Sequence, residues 1–224
     1  MNEPVCYICR RKPGVTKDHV PPKGLFPTPR PSDLITVPCC LRCNNGSSKR
    51  EEYFRMFVSC CINRSKEGHE IWRQKVIPST LKKRRIGKLI DEAAASIRQG
   101  ELVSPEGQRV VADALLARAR PIRAVLLKMV KGFLYYRDPA IDSRSLRFKV
   151  TQMDQFKFEV LVPTLGNFPC FEMGQGVFQC WWGIDDQNPP TGLWYFRFYQ
   201  SAGFLVHHTE RTSSQPAGCT KEKF

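Results

Sequence analysis

Histidine is scarce in this chain: there are four, and only His19 stands close to other side chains that could do chemistry. His69, His207 and His208 have no companions at a metal-ligand spacing and read as structural. Long apolar runs are absent as well. No stretch approaches the ~20 apolar residues of a membrane span, and the opening MNEPVCYICRRK lacks the apolar core of a secretory leader. There are no internal repeats, which sets aside solenoids and propellers. The expectation is a cytoplasmic protein with no membrane partner. In that reducing compartment, cysteines serve metals or redox chemistry rather than a disulfide lattice.

Acidic residues are the next scarcity. The 224 residues carry 35 Lys and Arg against 21 Asp and Glu, a net charge of +14 with pI about 9.5. The imbalance is local: residues 1–150 hold 30 basic and 14 acidic side chains, whereas 151–224 hold 5 and 7. A basic excess over most of a chain is the electrostatic footprint of a polyanion binder, nucleic acid first. At 42% apolar residues the chain can still bury a sizeable core.

What is abundant is cysteine, and its placement decides its meaning. Five of the ten fall in the first 43 residues, as Cys6-x-x-Cys9, Cys39 and Cys40-x-x-Cys43. Two C-x-x-C turns offer four soft thiolates, the tetrahedral set that zinc takes. Cys40 is preferred to its neighbour Cys39 because it completes a turn matching the first pair. With all four positions filled, the zinc is expected to be structural. A thioredoxin-like pair would need a helix start within a βαβ unit, and none surrounds Cys6 and Cys9. Cys60 and Cys61 lie along an apolar helix and read as core, and Cys170, Cys180 and Cys219 lack any pairing logic.

The local pattern predicts an α+β fold. Val15-Thr16 and Ile35-Thr36-Val37 predict two strands around a proline-rich loop at 21–31. Ser48 and Glu51 fit a capping box ahead of Phe54, Phe57, Val58, Cys61 and Ile62 at helical spacing, so residues 1–62 read β-β-α. Residues 63–137 read as a basic helical region. One helix is predicted over 80–99, with Ile86, Leu89, Ile90, Ala93, Ala94 and Ile97 on one face. Helical pattern resumes at about 108, breaks at Pro121, and continues as a core stripe through Ile122, Val125, Leu126, Met129, Val130, Phe133 and Leu134. Over 138–209 the period becomes two, in LRFKVTQ, FKFEVLV, GVFQCWWGI, GLWYFRFYQ and GFLVHH. An antiparallel, aromatic-rich sheet packed on the helices is expected there. Base stacking on those aromatics would want a basic groove, and the local charge is slightly negative. Residues 210–224 read as a disordered tail.

Asp18, His19 and Asn44 lie inside the cysteine clamp. A site that cleaves a phosphodiester needs a general base, and a neutral imidazole serves near pH 7. It also needs a hard cation on the phosphate, held by one or two carboxylate or amide oxygens. Asp18 and Asn44 are of the right hardness for Mg²⁺ or Mn²⁺. Adjacent strand residues point to opposite faces, so Asp18 and His19 can share one phosphate only if the strand ends or twists there. Pro21-Pro22 favour that ending.

The order C-x-x-C, D-H, a proline-containing loop, then DLITVPCCLRCNN resembles HNH endonucleases of the ββα-metal superfamily, in the variant with four zinc cysteines and Asn for the final His. The resemblance covers about residues 4–55. It implies His19 as general base, Asp18 and Asn44 as Mg²⁺ or Mn²⁺ ligands, and Cys6, Cys9, Cys40 and Cys43 as structural zinc ligands, with DNA as substrate and RNA left open. The family's middle Asn would fall at Asp33, a departure, because an aspartate cannot donate as an amide does; Asn45 is the alternative to Asn44. Lys82, Lys83, Arg84 and Arg85, with Arg118, Arg120, Arg123, Lys128 and Lys131, would track the phosphate backbone. The alternative is a zinc-stabilised nucleic-acid-binding or interaction module without cleavage, as in a phage-defence or mobile-element system. Its C-terminal sheet would serve a homodimer or a protein partner.

Overall fold

The structure is a computed structural model that describes residues 4–60, 65–82, 91, 95, 97–103, 109–115, 118–153, 161, 164–185 and 190–211. The chain begins with a short antiparallel hairpin, β1 (Thr16–His19) and β2 (Thr36–Cys39), in the register Asp18 opposite Val37 and His19 opposite Thr36. The Val20 amide still donates to Ile35 O at 2.9 Å, so the pairing runs past the Asp18-His19 pair instead of stopping at it. Helix α1 (Leu41–Ser59) follows directly, with Cys40 as its N-cap.

The cap of helix α1 therefore lies at Cys40, eight residues before the expected Ser48. The second C-x-x-C turn is its first turn, so Ser48 and Glu51 are interior residues and the capping box is not used. Cys61 and Ile62 lie outside the described residues. A helical run follows, α2 (Lys66–Ile71), a π turn over Trp72–Val76 and α3 (Ile77–Lys82). It begins at Ser65, whose hydroxyl accepts from the Gly68 amide.

The middle of the chain departs from the sequence reading. Instead of helix over 97–99 and from 108, residues Ile97–Val103 (β3) and Arg109–Leu115 (β4) pair as an antiparallel hairpin. The β-branched Ile97, Val103, Val110 and Val111 suit strands, and the linking stretch contains Pro105 and Gly107, residues typical of hairpin connections. Residues 63–137 are therefore not helical throughout: Lys66–Lys82 and Ala119–Arg137 are helical, whereas Ile97–Val103 and Arg109–Leu115 are strand, and Ile86, Leu89, Ile90, Ala93 and Ala94 fall outside the described residues.

Helix α4 (Ala119–Arg137) carries the stripe predicted for it, with Pro121 in its first turn, where a missing N–H costs no bond. A five-stranded antiparallel sheet closes the chain, in the order β5 (Leu146–Met153), β9 (Ala202–Glu210), β8 (Thr191–Phe198), β7 (Phe178–Asp185), β6 (Cys170–Met173). Most of FKFEVLV lies outside the described residues, as does 212–224.

One face of that sheet meets the helices, as the aromatic pattern predicts. Phe133 of α4 contacts Trp194 at 5.7 Å, Phe171 at 5.4 Å and Phe196 at 6.0 Å between ring centroids, and Phe54 of α1 meets Phe198 at 5.0 Å. Such pairs add about 0.5–1.5 kcal/mol each beyond their area. His208 is fully buried here, its Nδ1 accepting from Trp194 Nε1 at 3.2 Å, a packing role. Among the described residues the main apolar core runs from Cys6 and Val20 through α1 and α4 to Val206, with a smaller cluster at Met153, Leu165 and Tyr195.

Helix α4 also meets the N-terminal hairpin, and Gly132 is what lets it approach. A Cβ at Gly132 would stand 2.5 Å from Val20 Cγ2, with Val20 fully buried and stiff at χ1. Gly132→Ala gains about 1 kcal/mol of helix propensity and loses about 1–3 kcal/mol to overpacking, so a net loss is expected. Chemical denaturation should show that loss, with Val20→Ala costing less in the Gly132→Ala background than alone. A plain stabilisation by Gly132→Ala would show that the helix has room to shift.

Candidate functional site

The first cysteine knuckle is tightened by main-chain bonds: Cys6 N–H donates to Lys12 O at 2.8 Å and Arg10 N–H to Cys6 O at 2.9 Å. Arg10 sits in the left-handed region, at φ 53°. The second knuckle is helical, the Asn44 amide donating to Cys40 O at 3.0 Å. Together they bring the sulfurs of Cys6, Cys9, Cys40 and Cys43 within 4.8 Å of one another. Thiolates about 2.3 Å from a tetrahedral centre stand about 3.8 Å apart, and Cys9 and Cys40 Sγ are 4.0 Å apart. The cluster fits a metal ion such as zinc. Cys39 Sγ lies 3.9 Å from Cys6 Sγ, but as the last residue of β2 Cys39 turns into the core and is fully buried.

The cluster is electrostatically uneven without a cation. Burial pushes the Cys6 thiol up, and backbone N–H groups of Cys9, Cys40 and Ile8 outweigh it, bringing it down to about 6. Burial, then the Cys40 sulfur, hold the Cys43 thiol up, and burial beside Cys6 does the same to Cys39. Four sulfurs this close cannot all be anionic on their own. A bound metal would draw all four ligands into the thiolate form.

Asp18 is placed by β1 on the side that faces α1 and α4. It is only 6% exposed, and both its oxygens are engaged. Tyr7 OH donates to Oδ2 at 2.8 Å, and Lys128 Nζ of α4 stands 2.8 Å from Oδ2 and 3.0 Å from Oδ1. The same ammonium donates to Ser47 Oγ at 3.0 Å and to Glu51 Oε1, both on α1. Burial pulls the Lys128 pKa down, and Glu51 and Asp18 more than offset it, so the ammonium stays charged. Burial and Asp18 hold the Tyr7 hydroxyl well above its ordinary range, so it stays a donor. Lys128, expected on a phosphate-tracking surface, is instead 6% exposed in an ion-pair network, because the buried Asp18 and the half-buried Glu51 lie beside it and need a counter-charge. Arg118, Arg120 and Arg123 are exposed, while Lys131 lies 5.7 Å over the Phe148 ring.

Asn44 sits on the same seam between β1 and α1. Its Nδ2 donates to Thr16 Oγ1 at 3.0 Å, two residues before Asp18, and its main-chain oxygen accepts from Ser47 Oγ at 2.8 Å. Asn45 is exposed on the helix, and Asp33 is exposed in the turn before β2. His19, next along β1, points to the opposite side from Asp18 and is half-buried. Burial first, then Lys23, lower its pKa, which favours neutral imidazole. The structure thus brings Asp18 and Asn44 to one seam and leaves His19 on the other face of the strand. Lys82 ends α3, and Lys83, Arg84 and Arg85 lie outside the described residues.

Tyr7 and Ser47 escaped the sequence reading, and Glu51 and Lys128 were given other roles there, as part of a capping box and as a phosphate-tracking charge. Ser47 and Glu51 become legible once the helix starts at Leu41, since they then fall at i+3 and i+7 from Asn44. The signal for Lys128 was a lysine in phase with Val125 and Gly132 on a buried stripe. No family model, curated protein or solved structure matches the chain.

Elemental analysis of purified protein should find about one thiolate-bound metal ion per chain. Cys40→Ser should lose that metal and lower the melting temperature, whereas Cys39→Ser should keep it. Equal loss in both variants would place Cys39 in the ligand set.

Proposed function

We propose that the protein is a metal-dependent endonuclease of the HNH type, hydrolysing phosphodiester bonds of DNA. The observation that carries this reading is a hairpin and helix pinned together by the four-cysteine cluster, with Asp18 on β1 and Asn44 on α1 lying along their shared seam. In this reading the cluster holds structural zinc and performs no chemistry. Asp18 and Asn44 would hold one Mg²⁺ or Mn²⁺. That ion, when bound, would supply charge to the phosphate and to the departing 3′ oxygen. His19, neutral and on the strand's outer side, takes the proton from the attacking water as the water's oxygen bonds phosphorus. The products are a 5′-phosphate and a 3′-hydroxyl. The surplus of basic side chains in residues 1–150 supports a polyanionic substrate without selecting a sequence.

One observation favours a second reading, a zinc-stabilised nucleic-acid-binding module that does not cleave: Lys128 and Tyr7 already occupy the Asp18 carboxylate. Supercoiled plasmid separates the two. With Mg²⁺ or Mn²⁺ the wild type should nick it, and His19→Ala should slow nicking by about 10²-fold or more. Retarded but intact plasmid with both proteins would give the second reading. Equal nicking by both would remove His19 as the base.

A further inference from the structure

The group that most constrains the Asp18 site is the Lys128 ammonium. It has three protons, and it meets three oxygen-bearing side chains: Asp18, Ser47 and Glu51. No proton is left over for a phosphate, so in this state the lysine is not a substrate contact. Its surroundings are those a hard cation selects, oxygen atoms with two carboxylates among them. The stem comes from α4, outside the hairpin-helix unit and 110 residues along the chain from Asp18. Two carboxylates face the one ammonium; Arg55 acts on the half-buried Glu51 as well, whereas a divalent ion between the two would meet both directly.

We infer that Lys128 is an intramolecular stand-in for a divalent cation, its ammonium filling the space between Asp18 and Glu51 so that an ion reaches Asp18 only by displacing it. The inference rests on the reading of Asp18 as a metal ligand and deepens it in two ways. It adds Glu51 as a second carboxylate ligand, two turns along α1 from Asn44. It also makes the metal-free protein a closed form. Helix α4 is fixed to the sheet through Phe133 and to Val20 through Gly132, so opening is a swing of the flexible four-carbon stem and not a movement of the helix. An ion that binds only the open fraction has its affinity reduced by that fraction.

Free Mn²⁺ measured by electron paramagnetic resonance during titration reads the closure directly, whether or not DNA is cut. Zinc-loaded wild type is compared with Lys128→Met, with Lys128→Met/Asp18→Asn, and with Ser47→Ala, a milder change that keeps both carboxylates and removes one acceptor of the ammonium together with the hydroxyl that donates to Glu51 Oε1 at 2.7 Å. Lys128→Met should bind Mn²⁺ at least about tenfold more tightly than wild type, and Ser47→Ala by a smaller factor in the same direction. The Asp18→Asn substitution should abolish the gain. Unchanged affinity in the variants, or a gain that survives Asp18→Asn, overturns the inference. If Lys128→Met does not fold, Ser47→Ala decides alone, by a gain or by its absence. Tighter Mn²⁺ binding with no nicking by any variant would keep the closure and remove the nuclease reading. Nicking with unchanged Mn²⁺ affinity would remove the closure and keep the nuclease.

Discussion

A buried ammonium holds this protein's parts in register. Lys128 joins β1 through Asp18 and α1 through Ser47 and Glu51 while its own backbone belongs to α4. Taking such charges out of water costs several kcal/mol per ion, and the cost is offset only when every proton and most lone pairs are used. Here the three ammonium protons are used and Tyr7 supplies a further bond to Asp18. A shifted α4 would leave Asp18 buried without a counter-charge, with the half-buried Glu51 beside it. The same helix face continues this attachment at i+4 and i+7. Gly132 sits against Val20, and Tyr135 meets Tyr7 edge-on at 6.5 Å with Arg10 stacked 5.1 Å from its ring. Phe133, pointing elsewhere on the helix, enters the sheet's aromatic face. Helix α4 therefore works as a two-faced strut, polar and close-packed toward the hairpin, aromatic toward the sheet.

The four cysteines do for the N-terminal unit what its own apolar residues do not. Two four-residue strands and one helix are too small to bury a core alone. A metal held by the cluster would tie the knuckle before β1 to the first turn of α1, setting the point where the helix begins and the height of the hairpin together. Asn44 is the residue most affected. As the residue after Cys43, it is delivered by the knuckle to Thr16, and through it to the strand that carries Asp18.

Much of this was written locally in the sequence, and the misses have physical causes. The hairpin, the cysteine set and the α4 stripe were legible because β-branched pairs, a repeated C-x-x-C and a 3.6-residue period each act over short range. The start of α1 was not, because a C-x-x-C turn that is also a helical turn carries no cap residue of the usual kind. The hairpin at 97–115 was misread because Ile97 and the residues before it fit a helical stripe, and only pairing with residues 109–115 selects strand. Lys128 was taken for a surface charge. Its carboxylate partners lie 77 and 110 residues away, and nothing local to α4 announces them.

The two faces of β1 divide the proposed chemistry. Asp18 looks inward to the cation and His19 outward, so a phosphate served by both must lie at the strand's end, where the chain passes into residues 20–30. That stretch is held from the other side by Lys75, which donates to Gly24 O and Phe26 O. Burial, then Arg30 and Arg55, bring Lys75 down to about 8, a sign of crowded positive charge. Burial, then Lys23 and Arg30, also act on His19, each disfavouring the protonated imidazole. In the nuclease reading these effects are one arrangement: the cations that would draw a phosphate to the end of β1 also keep the imidazole neutral. A base that must accept a proton beside an anionic substrate needs both.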